Sequence, residues 1–238
     1  MIDKEDIICI IPARGGSKGL PRKNVKLINN EPLISRPIRQ AAESGVIGTI
    51  LVTTDDEEIA KLAKEAGAIV PFIRPSDLAE DLTTTEDTLK HALLTYENII
   101  KKKFKLAIFL TATDIFRDPK WIVEGVKKMI NNSNLESVFV GHATHKNFWE
   151  QKEDGSWKRL KDWMKYYSSR QNRKEVIRED TGLMSVSRAS LWREGRRIGD
   201  KVDIIVNHNS FTSIDIHDEE DLLLANFAIK LDKEKKSK

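Results

Sequence analysis

Residues 7–24 read Ile-Ile-Cys-Ile-Ile-Pro-Ala-Arg-Gly-Gly-Ser-Lys-Gly-Leu-Pro-Arg-Lys-Asn: an apolar run, a break at Pro12, then a loop with three glycines and four cations. A short apolar run closed by such a break reads as a buried strand. Glycines let the loop turn its backbone N–H groups onto an anion, while Arg14, Lys18, Arg22 and Lys23 neutralise the charge. A triphosphate is the anion that fits. The spacing is not that of a Walker loop, and Gly15, Gly16 and Gly19 do not fit the dinucleotide pattern G-x-G-x-x-G.

Strand and helix patterns alternate through the first 140 residues. Strands are expected at 7–11, 49–53, 68–72, 105–110 and 137–141. Helices are expected at 32–44, 56–66, 84–100 and 119–130, the second with Ile59, Leu62 and Ala63 on one face and Gly67 as its stop. This order predicts an α/β fold whose parallel sheet is covered by helices. Such sheets bind ligands at the carboxyl ends of their strands, where the glycine loop lies. Beyond 180, strands are expected at 182–187 and 202–206, a short helix near 189–194, and a closing helix at 218–229 with acids in its first turn.

The stretch 142–180 has a different character. It holds Trp149, Trp157 and Trp163, and Glu153-Asp154-Gly155-Ser156 reads as a hairpin turn. Composition leaves two readings open: an excursion from the main sheet, or a subunit-interface arm. The 238 residues otherwise suit a single domain, 1–238.

Net charge is +3, and the C-terminal Lys-Glu-Lys-Lys-Ser-Lys accounts for that excess; it is expected to be frayed and solvated. Basic residues are otherwise interspersed with acids, so no nucleic-acid partner is expected. Cys9, the single cysteine, falls inside the first strand and reads as a core residue. The N-terminal residues lack signal-peptide character and no apolar run is long enough for a membrane span, so the expectation is a cytoplasmic protein with no membrane partner.

The loop 12–24, Pro-Ala-Arg-Gly-Gly-Ser-Lys-Gly-Leu-Pro-Arg-Lys-Asn, resembles the signature of the acylneuraminate cytidylyltransferases, the CMP-sialic acid synthetases. The resemblance implies a three-layer αβα sandwich with a mostly parallel sheet, Rossmann-like and of the nucleotide-diphospho-sugar transferase kind. It implies that 142–180 is a dimerisation insertion that completes the neighbour's sugar pocket. By resemblance, Ala13, Arg14, Gly15, Ser17, Lys18, Lys23 and Asn24 surround the nucleotide, with Arg14 and Lys23 offsetting phosphate charge. A second block, Arg74-Pro75-Ser76-Asp77-Leu78-Ala79-Glu80-Asp81 followed by 83–87, is similar to the family's cytosine-recognising segment. Arg74 and Thr85 carry over, although Thr84 or Thr85 also suits a helix cap.

The third block, Leu110-Thr111-Ala112-Thr113-Asp114-Ile115-Phe116-Arg117, departs from the family's Leu-Gln-Pro-Thr-Ser-Pro-Leu-Arg. This segment lines the space between nucleotide and sugar in the family, which makes Thr111 and Thr113 acceptor-binding positions. Asp114 reads either as a metal ligand or as the residue leading into the next helix, and related sugar-acid cytidylyltransferases favour the ligand. The fourth block, 167–182, resembles the family's Arg-Gln…Gly segment: Arg170 suits a substrate carboxylate and Gln171 lies beside it. Lys146 is a further sugar-site position. In the fifth block, Ile214-Asp215-Ile216-His217 stands where the family has Ile-Asp-Ile-Asp, whose carboxylates hold Mg²⁺. If this segment is a strand, alternation puts Asp215 and His217 on one face. Mg²⁺ prefers oxygen, so His217 suits Mn²⁺ or Zn²⁺ better, or hydrogen-bonds a phosphate or a metal-bound water.

The resemblance implies CMP transfer from CTP to a nonulosonic sugar acid of the sialic, legionaminic or pseudaminic type, with pyrophosphate released by a homodimer. Arg14, Lys23 and Asp215 are its catalytic positions. A phosphonate acceptor is the alternative that the third block raises. A nucleotide-binding paralogue without turnover is the one that His217 raises.

Overall fold

In the computed structural model, which describes residues 2–167 and 169–236 (without the side chains of Arg170 and of 232–236), the apolar runs form one central sheet. The elements in chain order begin with β1 (Ile7–Pro12), β2 (Leu27–Ile28), β3 (Glu31–Pro32), α1 (Ser35–Glu43), β4 (Thr49–Thr53), α2 (Glu57–Glu65), α3 (Thr85–Ile100) and β5 (Leu106–Phe109). There follow α4 (Pro119–Asn131), β6 (Ser137–Thr144), β7 (Trp149–Gln151), β8 (Trp157–Arg159), β9 (Val176–Glu179), β10 (Ser185–Arg188), α5 (Ala189–Arg193), β11 (Val202–Asn207) and α6 (Glu219–Lys236). The main sheet runs β11-β6-β10-β5-β1-β4, with β9 also paired to β6. β1 is parallel to β4 and β5, and β11 to β6; β10 is antiparallel to both its neighbours.

Alternation in β1 builds two cores. Ile7, Cys9 and Ile11 face α1, α2, α4 and α6, through residues such as Ile38, Ile59, Val126 and Ala225. Ile8 and Ile10 face α3 and α5, through Leu89, Leu93, Leu191 and Trp192. The result is the expected three-layer αβα sandwich. Cys9 is fully buried in it, and desolvation pushes its thiol up to about 12, so it is a core residue.

The structure corrects several expected elements. The 68–72 strand reduces to one bridge, Ile69 to Leu51, because Pro71 has no N–H to continue the ladder. The helix expected from residue 32 starts at Ser35: Glu31–Pro32 instead closes a ribbon with Leu27–Ile28 through Asn29 and Asn30, both at positive φ (50° and 65°). The strand expected from 182 starts at Ser185. Asp215–His217 is irregular rather than a strand. The closing helix runs on to Lys236, so most of the tail expected to fray is helical; the last two residues lie outside the described ones.

Two features shape the ligand edge of the sheet. β6 runs to Thr144, and β9 returns along it before the chain re-enters as β10. Asp180 N–H donates to Val140 O and Val140 N–H donates to Met184 O, both at 3.0 Å, so 180–184 loops out of an otherwise continuous partner of β6. Such a bulge re-aims side chains at a sheet's functional edge. The stretch between β6 and β9 leaves the sheet and carries the β7–β8 hairpin, whose turn uses Gly155 at φ 80°.

Candidate active site

The loop after β1 is held by its own polar groups. Ala13 N–H donates to Thr53 O (3.0 Å) at the end of β4, and Asn24 Nδ2 donates to Arg14 O (2.9 Å). Gly15 N–H donates to Asp55 Oδ1 at 3.0 Å, and Ser17 N–H to Gly15 O at 3.1 Å. A Cβ on Gly15 would meet Asp56 Oδ2 at 2.7 Å, and one on Gly19 would meet His217 O at 2.5 Å. The glycines therefore permit close approach to the neighbouring segments.

The four loop cations divide by partner. Arg22, in the left-handed region at φ 59°, pairs with Asp56 and Glu58 at the start of α2. Lys23 Nζ donates to Ile216 O at 2.8 Å; burial pushes its ammonium pKa down, and Asp215 opposes that. Arg14 Nη1 lies 3.0 Å from Asp81 Oδ1, and Lys18 pairs with the other Asp81 oxygen. Beside them is a cavity of about 230 Å³ whose lining includes Pro12, Arg14, Arg74, Asp81, Thr83 and Thr85. Arg74 is buried, 3.5 Å from Asp55 Oδ1, and its Nε has no partner. Thr84 is the cap of α3, accepting from Asp87 N–H at 3.0 Å, and Thr85 is left to line the cavity. The first and second sequence blocks thus meet in one place.

Across from the loop lie the third and fifth blocks and part of the fourth. Asp114 accepts from Thr111 Oγ1, and a Cβ on Gly182 would lie 2.1 Å from Asp114 Oδ2. Burial pushes the Asp114 carboxyl pKa up; Thr111 and Arg117 pull it back, and Asp215 and Asp180 add to the rise. Thr113 O accepts from Ile115 N–H at 3.0 Å, so its backbone shapes the turn. Arg117 is buried and pins the region, donating to Thr111 O (2.8 Å), Gly182 O (2.7 Å), Leu183 O and Gln40 Oε1 (2.9 Å). His217 Nε2 is 3.1 Å from Asp215 Oδ2, so the two side chains meet without a strand between them. Asp180, which sequence reasoning left out, is gripped by both arms of Arg178 at 2.7 and 2.8 Å.

Asp215 Oδ1 is buried and has no hydrogen-bond partner. An orphaned carboxylate oxygen near Asp114 fits a hard cation. Among the described residues no three His, Cys, Asp or Glu side chains are arranged to hold a metal alone. A Mg²⁺ here would be held by Asp215 and Asp114 with nucleotide phosphates completing its shell, its usual arrangement. His217 is engaged with Asp215.

Lys146 and Gln171 are exposed on the excursion, and among the described residues no hydrogen bond or ion pair links either to Arg14, Lys23, Asp114 or Asp215. The Arg170 side chain lies outside the described residues. Asp55, which ties Gly15 to Arg74, was also missed; its place just after a parallel strand was the available signal.

The cytidylyltransferase family profile matches residues 8–178. The chain is 29% identical over 225 residues to "Post-translational flagellin modification protein B" of Campylobacter coli, covering 94% of this chain and 95% of that one. It is 31% identical over 192 residues to the pseudaminic acid cytidylyltransferase of Campylobacter jejuni strain 81-176, covering 79% and 80%. Its fold matches a solved CMP:2-keto-3-deoxy-manno-octonic acid synthetase complexed with CTP, with a TM-score of 0.67 at 14% identity over 95% of this chain and 99% of that one. With a basic glycine loop facing a carboxylate pair across the strand ends, the chain belongs to the cytidylyltransferase family, enzymes that transfer CMP from CTP.

Proposed function

We propose that the acceptor is a nonulosonic sugar acid, of the pseudaminic, legionaminic or sialic type, and that the enzyme works as a Mg²⁺-dependent homodimer. The observation that carries the placement of the nucleotide's phosphates is Lys23, which reaches from the basic loop to the Asp114–Asp215 side of the site. A nucleotide with its base in the Arg74–Thr85 cavity and its phosphates on Arg14, Lys18 and Lys23 presents its α-phosphorus to that side. The acceptor hydroxyl attacks phosphorus there and releases its proton to solvent; the new O–P bond forms as the bond from the α-phosphorus to the bridging oxygen breaks, and pyrophosphate leaves on the loop cations. Bound Mg²⁺ would neutralise phosphate charge. The residues themselves orient the reactants and stabilise charge, which is most of what phosphoryl-type transfer asks of a protein. The name of the Campylobacter jejuni relative supports the pseudaminic type first, and that of the flagellin modification protein supports a product used to decorate surface protein.

The test is pyrophosphate release with CTP, Mg²⁺ or Mn²⁺, and a panel of sugar acids and phosphonates, with other nucleoside triphosphates as controls. Release with CTP and one nonulosonic acid is expected. Release with a phosphonate alone would overturn the acceptor class, and CTP binding with no release from any acceptor would favour the paralogue without turnover. Asp215→Ala is expected to lower metal-dependent turnover by about a hundredfold while CTP still binds; undiminished turnover would remove Asp215 from the metal site.

A further inference from the structure

Of the four loop cations, Arg14 and Lys18 are the two whose described partner is a carboxylate at the rim of the nucleotide cavity. Arg22 is tied to the start of α2, and Lys23 to the backbone of Ile216. Arg14 and Lys18 converge on the two oxygens of one carboxylate, Asp81, at the rim of the cavity beside Arg74 and Thr85. Lys18 first, then Arg14, hold that carboxyl below its usual range, so it is ionised at neutral pH.

We propose that Asp81 is an internal counter-anion of the phosphate loop, which competes with the nucleotide's phosphates for Arg14 and Lys18 and so sets affinity for CTP. One carboxylate here occupies the two cations as phosphate oxygens would. Once the triphosphate is bound, the same carboxylate faces like charge and loses both partners, so it swings away. The Asp81 side chain has open space in which to do so. The neighbouring Leu82 is 94% exposed, and Asp81 itself is exposed. Between the short turn at Ser76–Leu78 and α3, the chain is fixed by Thr83 N–H to Glu80 O (3.3 Å) and Thr83 Oγ1 to Asp77 O (3.0 Å), contacts that do not involve the Asp81 side chain.

Calorimetric titration of the full chain and of Asp81→Asn with CTP, pyrophosphate and cytidine tests this. Asn keeps the shape and removes the charge. The dissociation constants for CTP and pyrophosphate are expected to fall by about three- to tenfold, the range for loss of a competing surface ion pair plus like-charge repulsion. That for cytidine, which has no phosphate, stays unchanged. Unchanged or weaker binding of CTP and pyrophosphate would overturn the proposal, and so would equal tightening for cytidine. A melting curve checks that the variant folds; should Asn fail, Asp81→Ser carries the same expectation. Because cytidine and pyrophosphate are read separately and no acceptor is added, the outcome does not depend on the acceptor class.

Discussion

A Cβ on Gly182 would lie 2.1 Å from Asp114 Oδ2 and 3.0 Å from Thr111 Cγ2. Either Asp114 turns away or the Thr111 N–H to Gly182 O bond (3.0 Å) breaks. Forcing a methyl into such a contact costs about 1–3 kcal/mol. Gly182→Ala is therefore expected to lower turnover at least about tenfold while the protein still folds and binds CTP; a steady-state assay beside a melting curve checks it, and full turnover would show that Asp114 need not hold its place. Residue chemistry was legible wherever type and neighbours were enough. The cation-rich glycine loop and Arg74 were read from sequence, and the structure brings them together around one cavity. Which cations stay available to a ligand was not legible. Asp56 and Asp81, which claim Arg22 and Arg14, lie 34 and 67 positions away, and only the fold brings them close.

At the scale of elements, periodicity served best where a helix has a clear face and a clear cap. Asp56 begins α2 by accepting from Glu58 N–H and Ile59 N–H, both at 3.0 Å, and also holds Arg22. Partial burial pushes its carboxyl pKa up, but Arg22 and the two N–H groups outweigh that and leave it below the usual 3.8. A depressed folded-state pKa means the stabilisation is complete above the unfolded value and fades as pH falls through the folded one. Asp56→Ala is expected to cost about 1–2 kcal/mol at pH 7, mostly the cap, and the gap to the wild type should narrow below about pH 4. Urea melts at pH 7 and pH 3 measure it, and a gap that does not narrow would remove the charge from the account. Asp56→Asn should keep most of the cap, since Asn caps as well as Asp. Strands were harder to read. Pro71 cut one short, and the 180–184 bulge moved the start of β10 by three residues, because pairing is decided by a partner strand that local pattern does not reveal.

On the scale of the whole molecule, the excursion between β6 and β9 is the part a single chain leaves unexplained. Trp157, Tyr166 and Tyr167 are 61%, 67% and 72% exposed, far more than such large rings usually are. Arg159 lies 4.3 Å from the Trp149 ring and 5.9 Å from Tyr167, and Arg173 lies 5.6 Å from Tyr167, so cations sit over the rings within the arm. Between 146 and 174 there are nine lysines and arginines against four acids, while acids outnumber bases in the rest of the chain. A basic, aromatic arm on a body of opposite charge balance fits docking on a second copy, as the proposed homodimer requires. Lys146 and Gln171, both exposed on this arm, would then be placed to serve the neighbour's site. Sedimentation velocity is expected to find the wild type dimeric. Trp157→Glu with Tyr167→Glu is expected to shift it to monomer, with CTP affinity kept and turnover reduced at least about tenfold, since the nucleotide cavity lies within one chain and the acceptor side would not. A variant that becomes monomeric yet turns over normally would place the whole acceptor site in one chain. A dimer unaffected by both substitutions would move the interface off the arm.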